Sequence, residues 1–342
     1  MTITSVKLAA LLSGTLDADT GAAIEDILIP AGIAGSGPDT VTRAEFAVAM
    51  TVALHWGLLR RVPTGEAYAA DCRAAGRKIM LDHGALRTIS LPDGKPTGAI
   101  PAGVAAFTRI LEPLGYAQAD IYPLERLKMT GFAYCHQDAP DEIAQFFISE
   151  LHVDRFDADF AAAAGRVFGT TADPLDDAAR TALDGFARDG RVSLAVAQAA
   201  MPSIVGAFDR HHATPSLTDY EVLKGQSAEA AWIATEGNAF NHGTDRVEDV
   251  DAVADVQRAL GRAMKDRVEV SGSGRVRQTA YRADWVERDF TGDAGEVLTL
   301  KVPGSFYEFI DRAKDPESGK LDLKFDSSNA QGIFKMTASL DA

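Results

Sequence analysis

The segment "LDHGALRT" at residues 81–88 returns as "FNHGTDRV" at 240–247, in a chain that has only seven histidines. Each copy reads Asp or Asn, then His, Gly, two variable residues and Arg. The spacing of four puts His83 with Arg87, and His242 with Arg246, on one face of an extended strand, because side chains alternate with a period of two. A phrase written twice asks the chain for two equivalent strands. The residues around those strands should then repeat as well.

They do repeat. After the first copy, strand-like "ALRTISL" leads to the amphipathic helix pattern "AGVAAFTRILEPLG" and then to strand-like "LKMTGFAYCH" and "QFFISELHV". Around the second copy, strand-like "WIATEGNAFNHGTDRV" precedes helical "VEDVDAVADVQRALGRAM". The strand candidates "RVEVSGS", "RVRQTAYRADWV" and "VLTLKVPGSFYEFI" follow. The recurring order predicts two related βαβββ modules. Helical texture fills the remainder, with Thr42 and Glu45 at capping-box spacing. The expected organisation is a helical N-terminal collar over 1–78, a first module over 79–156, a helical insertion over 157–228, and a second module with C-terminal cover over 229–342. The fold class is α+β, with the paired modules forming one half-open curved β-sheet around a metal.

Charge narrows the partners. A formal net charge of -15 and a pI near 4.9 oppose capture of nucleic acid or an anionic membrane surface. The apolar run "FAVAMTVALHWGLL" is shorter than the ~18 residues a membrane span needs, and His55 interrupts it. The run in "KLAALLSG" is too short for a secretory signal core. Cys72 and Cys135 form neither a disulfide framework nor a C-x-x-C pair, so both are expected in the core of a cytoplasmic protein. The oligomeric state is left open.

Two histidines on equivalent strands can converge on one metal, but a catalytic site needs a third ligand. Glu308 in "GSFYEFIDR" supplies it: alternation places this carboxylate with Phe306 and Ile310, opposite Tyr307 and Phe309. A carboxylate on an apolar strand face is costly unless paired, and a cation is a good partner. His83, His242 and Glu308 then make the two-His, one-carboxylate set of non-haem iron(II) oxygenases. Gln278 and Arg282 in "RQTAYRA" share a strand face, either as polar pocket residues or as the exposed side of a curved sheet. His55, His136, His211, His212 and Arg246 read mainly as structural, although His136 lies near enough to a strand end to line a pocket. No H-E-x-x-H or P-loop occurs, and "SGSGRV" lacks the third Gly of a dinucleotide fingerprint.

Taken together, "DHGALRTI", "FNHGTDRV", "RQTAYRA" and "VPGSFYEFIDR" resemble the 2-oxoadipate dioxygenase/decarboxylases of the vicinal-oxygen-chelate superfamily, relatives of hydroxymandelate synthase and 4-hydroxyphenylpyruvate dioxygenase. The resemblance runs in order from about residue 79 to 340. It implies Fe(II) held by His83, His242 and Glu308, and a substrate-binding role for Arg87. The reaction it implies converts 2-oxoadipate or a similar 2-oxo dicarboxylic acid, with O₂, to 2-hydroxyglutarate or the corresponding hydroxy acid and CO₂. Two alternatives stay open on the residues themselves. One is another metal-dependent enzyme of the same fold, such as an isomerase, lyase or ring-cleaving dioxygenase; the other is a metal-free binding protein.

Overall fold

Leu81–Ser90 (β1) is buried along nearly its whole length instead of alternating, as a strand covered on both faces must be. The computed structural model describes residues 2–325 and places β1 at the centre of an eight-stranded sheet. The other strands are Tyr116–Leu124 (β2), Met129–His136 (β3), Gln145–His152 (β4), His242–Arg246 (β5), Glu269–Val270 (β6), Val276–Ala280 (β7) and Phe306–Arg312 (β8). Their order is β2-β3-β4-β1-β5-β8-β7-β6, so each module supplies four adjacent strands, in mirrored sequence. The first strand of each module runs parallel to the last, β1 with β4 and β5 with β8. Strand twist curls this sheet into a half-barrel, as the paired-module pattern predicts.

The two copies of the phrase meet at the antiparallel β1/β5 pair. There His83, Gly84 and Ala85 lie opposite Thr244, Gly243 and His242, so the repeat surrounds a local two-fold axis. The paired glycines permit close approach on the face away from the histidines. A Cβ on Gly84 would lie 2.2 Å from the Phe240 ring, and one on Gly243 would lie 2.7 Å from Leu58 of helix Arg43–Leu59.

Helices cover both faces. Helices Arg43–Leu59 and Pro63–Ala74 pack on the convex face, where Tyr68 contacts Tyr307 and Phe309. The predicted capping box is present, with Thr42 accepting from the Glu45 amide and Glu45 from the Thr42 amide. Two insertion helices, Asp177–Asp189 and Leu194–Gly206, share a core with this collar, and strand 191–193 pairs with strand 40–42. The concave face, which carries Ala85, Ile89 and Phe147, is covered by helices Ala158–Phe168, Leu217–Gln226 and Ala228–Glu236.

Three details differ from the pattern read along the chain. "WIATE" is the end of helix Ala228–Glu236, not strand, so the helical insertion continues beyond 228 and β5 starts only at His242. Trp232, Ile233 and Thr235 suggest strand, but the Ser227 cap and the run of alanines prevail. "VLTLKVPGSFYEFI" breaks at Gly304–Ser305 into strand Val297–Pro303 and β8. Likewise "RVRQTAYRADWV" breaks after Ala280, and its last two residues open strand Trp285–Thr291, which pairs with Val297–Pro303 as a separate hairpin. The expected C-terminal cover falls largely on residues 326–342, outside the described residues. No described helix is long and apolar enough to cross a membrane.

Candidate metal centre

Register across the sheet brings the three candidate ligands together. His83 stands opposite Thr244, and Thr244 stands beside Glu308, so all three share the concave face in one lateral row. His242 lies two residues before Thr244 on that face. One ligand atom from each of His83, His242 and Glu308 falls within 4.8 Å of the others. The Nε2 atoms of His83 and His242 lie 3.4 and 3.9 Å from Glu308 Oε1, and the two imidazoles stand nearly perpendicular. The Thr244 hydroxyl donates to Glu308 Oε1 at 3.2 Å and lies 3.1 Å from His83 Nε2.

The duplication also accounts for three candidate ligands and not four. Phe306 pairs with His242 and Glu308 follows two residues later; in the first module Gln145 pairs with His83, which puts Phe147 where Glu308 stands. A phenylalanine offers no donor, so that quarter of the site remains without a protein ligand.

A β-bulge orients the first histidine. Leu81 opposes Asp245 and His83 opposes Thr244, leaving Asp82 as the extra residue. Its carboxylate thereby comes to the His83 ring, whose Nδ1 donates to Asp82 Oδ1 at 2.8 Å. Arg312 holds the same carboxylate at 2.9 to 3.1 Å and Arg246 at 2.7 Å. A carboxylate that fixes a ligand histidine through its second nitrogen sets both tautomer and ring orientation. Arg246, read as structural in the sequence, thus acts on the centre through Asp82. Arg312 also donates to the carbonyls of Asp322 and Lys324, which seats Phe325 edge-on to His83 at 4.8 Å.

Electrostatics suit a cation. Burial pushes the Glu308 carboxyl upward, but His242 and His83 outweigh it and the group falls below its usual range. Burial, aided by the charges of His83, Arg87 and Lys265 and opposed by Glu308, drives His242 down to about 3, so its imidazole is neutral. Burial opposes charge on His83 too, yet the bonds to Asp82 and Glu308 prevail and raise it. Burial also opposes ionisation of Asp82, and Arg312 and Arg246 overcome that to hold it well below the carboxylate range. Glu308 Oε2 and Gln145 Nε2 are buried without a hydrogen-bond partner among the described residues. An orphaned carboxylate oxygen beside two imidazole nitrogens is the donor set a divalent transition metal takes.

The other sequence candidates separate. Arg87 is fully buried on the same face as His83, ion-paired with Glu229, with its guanidinium 5.1 Å from the Trp232 ring centre. Gln278 is buried and opposes Ile310, which puts it on the ligand face. Arg282 is not brought to the centre: it lies past the end of β7, exposed, and donates to Asp266 at 3.0 Å. His55 bonds Tyr307, His211 and His212 bond backbone carbonyls, and His136 accepts from the Asp138 amide, all structural roles. The sequence reading missed Asp82, Thr244, Gln145 and Arg312. Only Asp82 carried a local signal, as the acidic residue preceding the first histidine.

Residues 58–314 match the 2-oxoadipate dioxygenase/decarboxylase family. The chain belongs to that family. It is accordingly an enzyme of the 2-oxoadipate dioxygenase/decarboxylase type. The solved structure of a glyoxalase-superfamily protein from Ralstonia eutropha JMP134 is 51% identical, with a TM-score of 0.89 over 94% of this chain and 98% of that one. Hydroxyglutarate synthase from Oryza sativa, solved with 2-oxoadipate, shares the fold at 20% identity and a TM-score of 0.67, covering 90% of this chain and 98% of its own. The Pseudomonas putida hydroxyglutarate synthase does so at 17% and 0.60, over 88% of this chain and 75% of its own. No curated protein matches the chain.

Proposed function

We propose that this protein is an Fe(II)-dependent dioxygenase that decarboxylates and hydroxylates 2-oxoadipate, or a closely similar 2-oxo dicarboxylic acid. The observation that carries the reading is the convergence of His83, His242 and Glu308 on one point, with a buried Glu308 oxygen left over. Membership in the family, and the 2-oxoadipate bound in the related hydroxyglutarate synthase structures, support the substrate class. They favour this reaction over the isomerase, lyase, ring-cleavage and metal-free binding alternatives. Iron held there would supply the electrons and the open coordination that O₂ chemistry needs.

The chain's own contribution is positioning. Asp82 holds His83 by its Nδ1–H, and the buried surroundings keep His242 neutral and Glu308 ionised, the protonation states that ligands need. Arg87 lies four residues along β1 from His83, about 13 Å of strand, a suitable separation for the far carboxylate of a six-carbon acid. Its fork of five N–H groups can bind that carboxylate while Glu229 remains its resting partner. Phe325 and Phe147, 4.8 Å apart, and Trp232 form apolar walls that keep bulk water from the reacting carbon. The balanced reaction takes one 2-oxoadipate and one O₂ to one 2-hydroxyglutarate and one CO₂. Anaerobic loading with Fe(II), followed by O₂ uptake and product analysis over a panel of 2-oxo acids, tests it. Equal amounts of O₂ consumed and CO₂ released are expected with 2-oxoadipate; iron-loaded protein that consumes no O₂ with any acid would sink the reading.

A further inference from the structure

A second buried cation stands on the ligand face. Met264 pairs with Tyr281, and the Lys265 amide donates to the Ala280 carbonyl at 2.9 Å, so Lys265 lies opposite Ala280. Ala280 in turn lies opposite Glu308. The lateral row His83, Thr244, Glu308, Ala280, Lys265 therefore crosses five neighbouring segments with every side chain on the concave face. Lys265 is 8% exposed. Its ammonium donates to Glu269 at 2.9 Å, and Glu269 is in register with Gln278, which shares that face.

Distances along the sheet assign this cation to one end of a substrate. Two interstrand spacings, about 10 Å, separate the Lys265 and Glu308 backbones, and the small Ala280 between them leaves the lysine stem free to lie toward the ligands. Arg87 is about 13 Å of strand away from His83 in a different direction. A 2-oxo dicarboxylic acid carries one carboxylate next to its keto group and one at its far end. We propose that Lys265, with Gln278 beside it, receives the carboxylate adjacent to the keto group, and so serves every 2-oxo acid regardless of what its tail carries. Glu269 takes one of the three ammonium donors. The assignment rests on the proposed 2-oxo acid chemistry.

The test compares wild type, Lys265→Arg, and Lys265→Met combined with Glu269→Gln, the last removing both charges so that no buried carboxylate is stranded. Metal content is measured first, then anaerobic calorimetric binding of 2-oxoadipate and of a monocarboxylic 2-oxo acid to the metal-loaded proteins, then KM and kcat. The expected result is unchanged metal content, at least tenfold weaker binding of both acids in the double variant, and substantial recovery in Lys265→Arg. Equal binding by wild type and the double variant overturns the assignment alone. A loss confined to the dicarboxylate also overturns it, because it moves Lys265 to the far end. Wild-type protein that binds no 2-oxo acid overturns the functional reading and this assignment with it.

Discussion

Asp82 holds the candidate metal centre together without being one of its candidate ligands. It accepts from His83, Arg246 and Arg312 at once, and Arg312 has no exposed side-chain surface. Asp82→Asn weakens the acceptor that fixes His83, and metal affinity should fall by about 10- to 100-fold. The same change strands two guanidinium groups, so the metal-free protein should also lose roughly 3 to 5 kcal/mol of stability. Metal titration and urea unfolding separate the two effects; undiminished affinity would remove Asp82 from the centre. Arg87 makes a different prediction. Arg87→Met with Glu229→Gln removes both charges of this pair together, so metal content should hold while kcat/KM for 2-oxoadipate falls by roughly 2 to 5 kcal/mol of transition-state stabilisation. A monocarboxylic acid of equal length should be affected far less. Equal losses on both acids would assign Arg87 to the fold instead.

At the level of elements, the β1/β5 pair carries the argument. Gly84 and Gly243 face each other there, and their missing Cβ atoms let Phe240 and Leu58 approach. Gly84→Ala forces a Cβ into the Phe240 ring, an overpacking that should cost about 1 to 3 kcal/mol. Thermal unfolding of Gly84→Ala, and of the same variant with Phe240→Leu, checks the cause: the smaller side chain should recover part of the loss. No recovery would mean that strand backbone, not crowding, is what glycine supplies. Helix Ala228–Glu236 shows the complementary case. It brings Glu229 and Trp232 to Arg87 from a segment whose β-branched and aromatic residues read as strand, because propensity is a weak prior against a cap and tertiary packing.

The whole molecule stores a pH response in its buried histidines. Burial lowers His55 to about 3 and His136 and His212 to about 4, while unfolding returns each to about 6.5. The unfolded chain then binds more protons than the folded one, so stability falls as pH drops below about 6.5. Asp245 works in the opposite sense: burial raises it to about 6, so it is protonated in the folded state before the unfolded one and offsets one histidine. His55, His136 and His212 less Asp245 leave about two protons, a slope of roughly 3 kcal/mol per pH unit around pH 5, and His242, lowered by the same burial, adds in the same sense. Urea midpoints of the metal-free protein at pH 7 and pH 5 measure it, and stability that is level or rising toward pH 5 contradicts it.

The chain by itself determined which residues would meet at the centre. A period of two placed His83, His242 and Glu308 on strand faces, and a phrase written twice demanded two equivalent strands, because alternation and repetition are properties of neighbouring residues. Tertiary structure decided what those residues are worth. Asp82 reaches His83 only because a bulge turns it, and its two arginines come from positions 164 and 230 residues away. Phe147 stands where Glu308 stands in the second module, Arg282 stays at the surface, and Lys265 joins the row of Glu308, each according to interstrand register. Register depends on how whole strands pair and pack, and no short stretch of sequence encodes it.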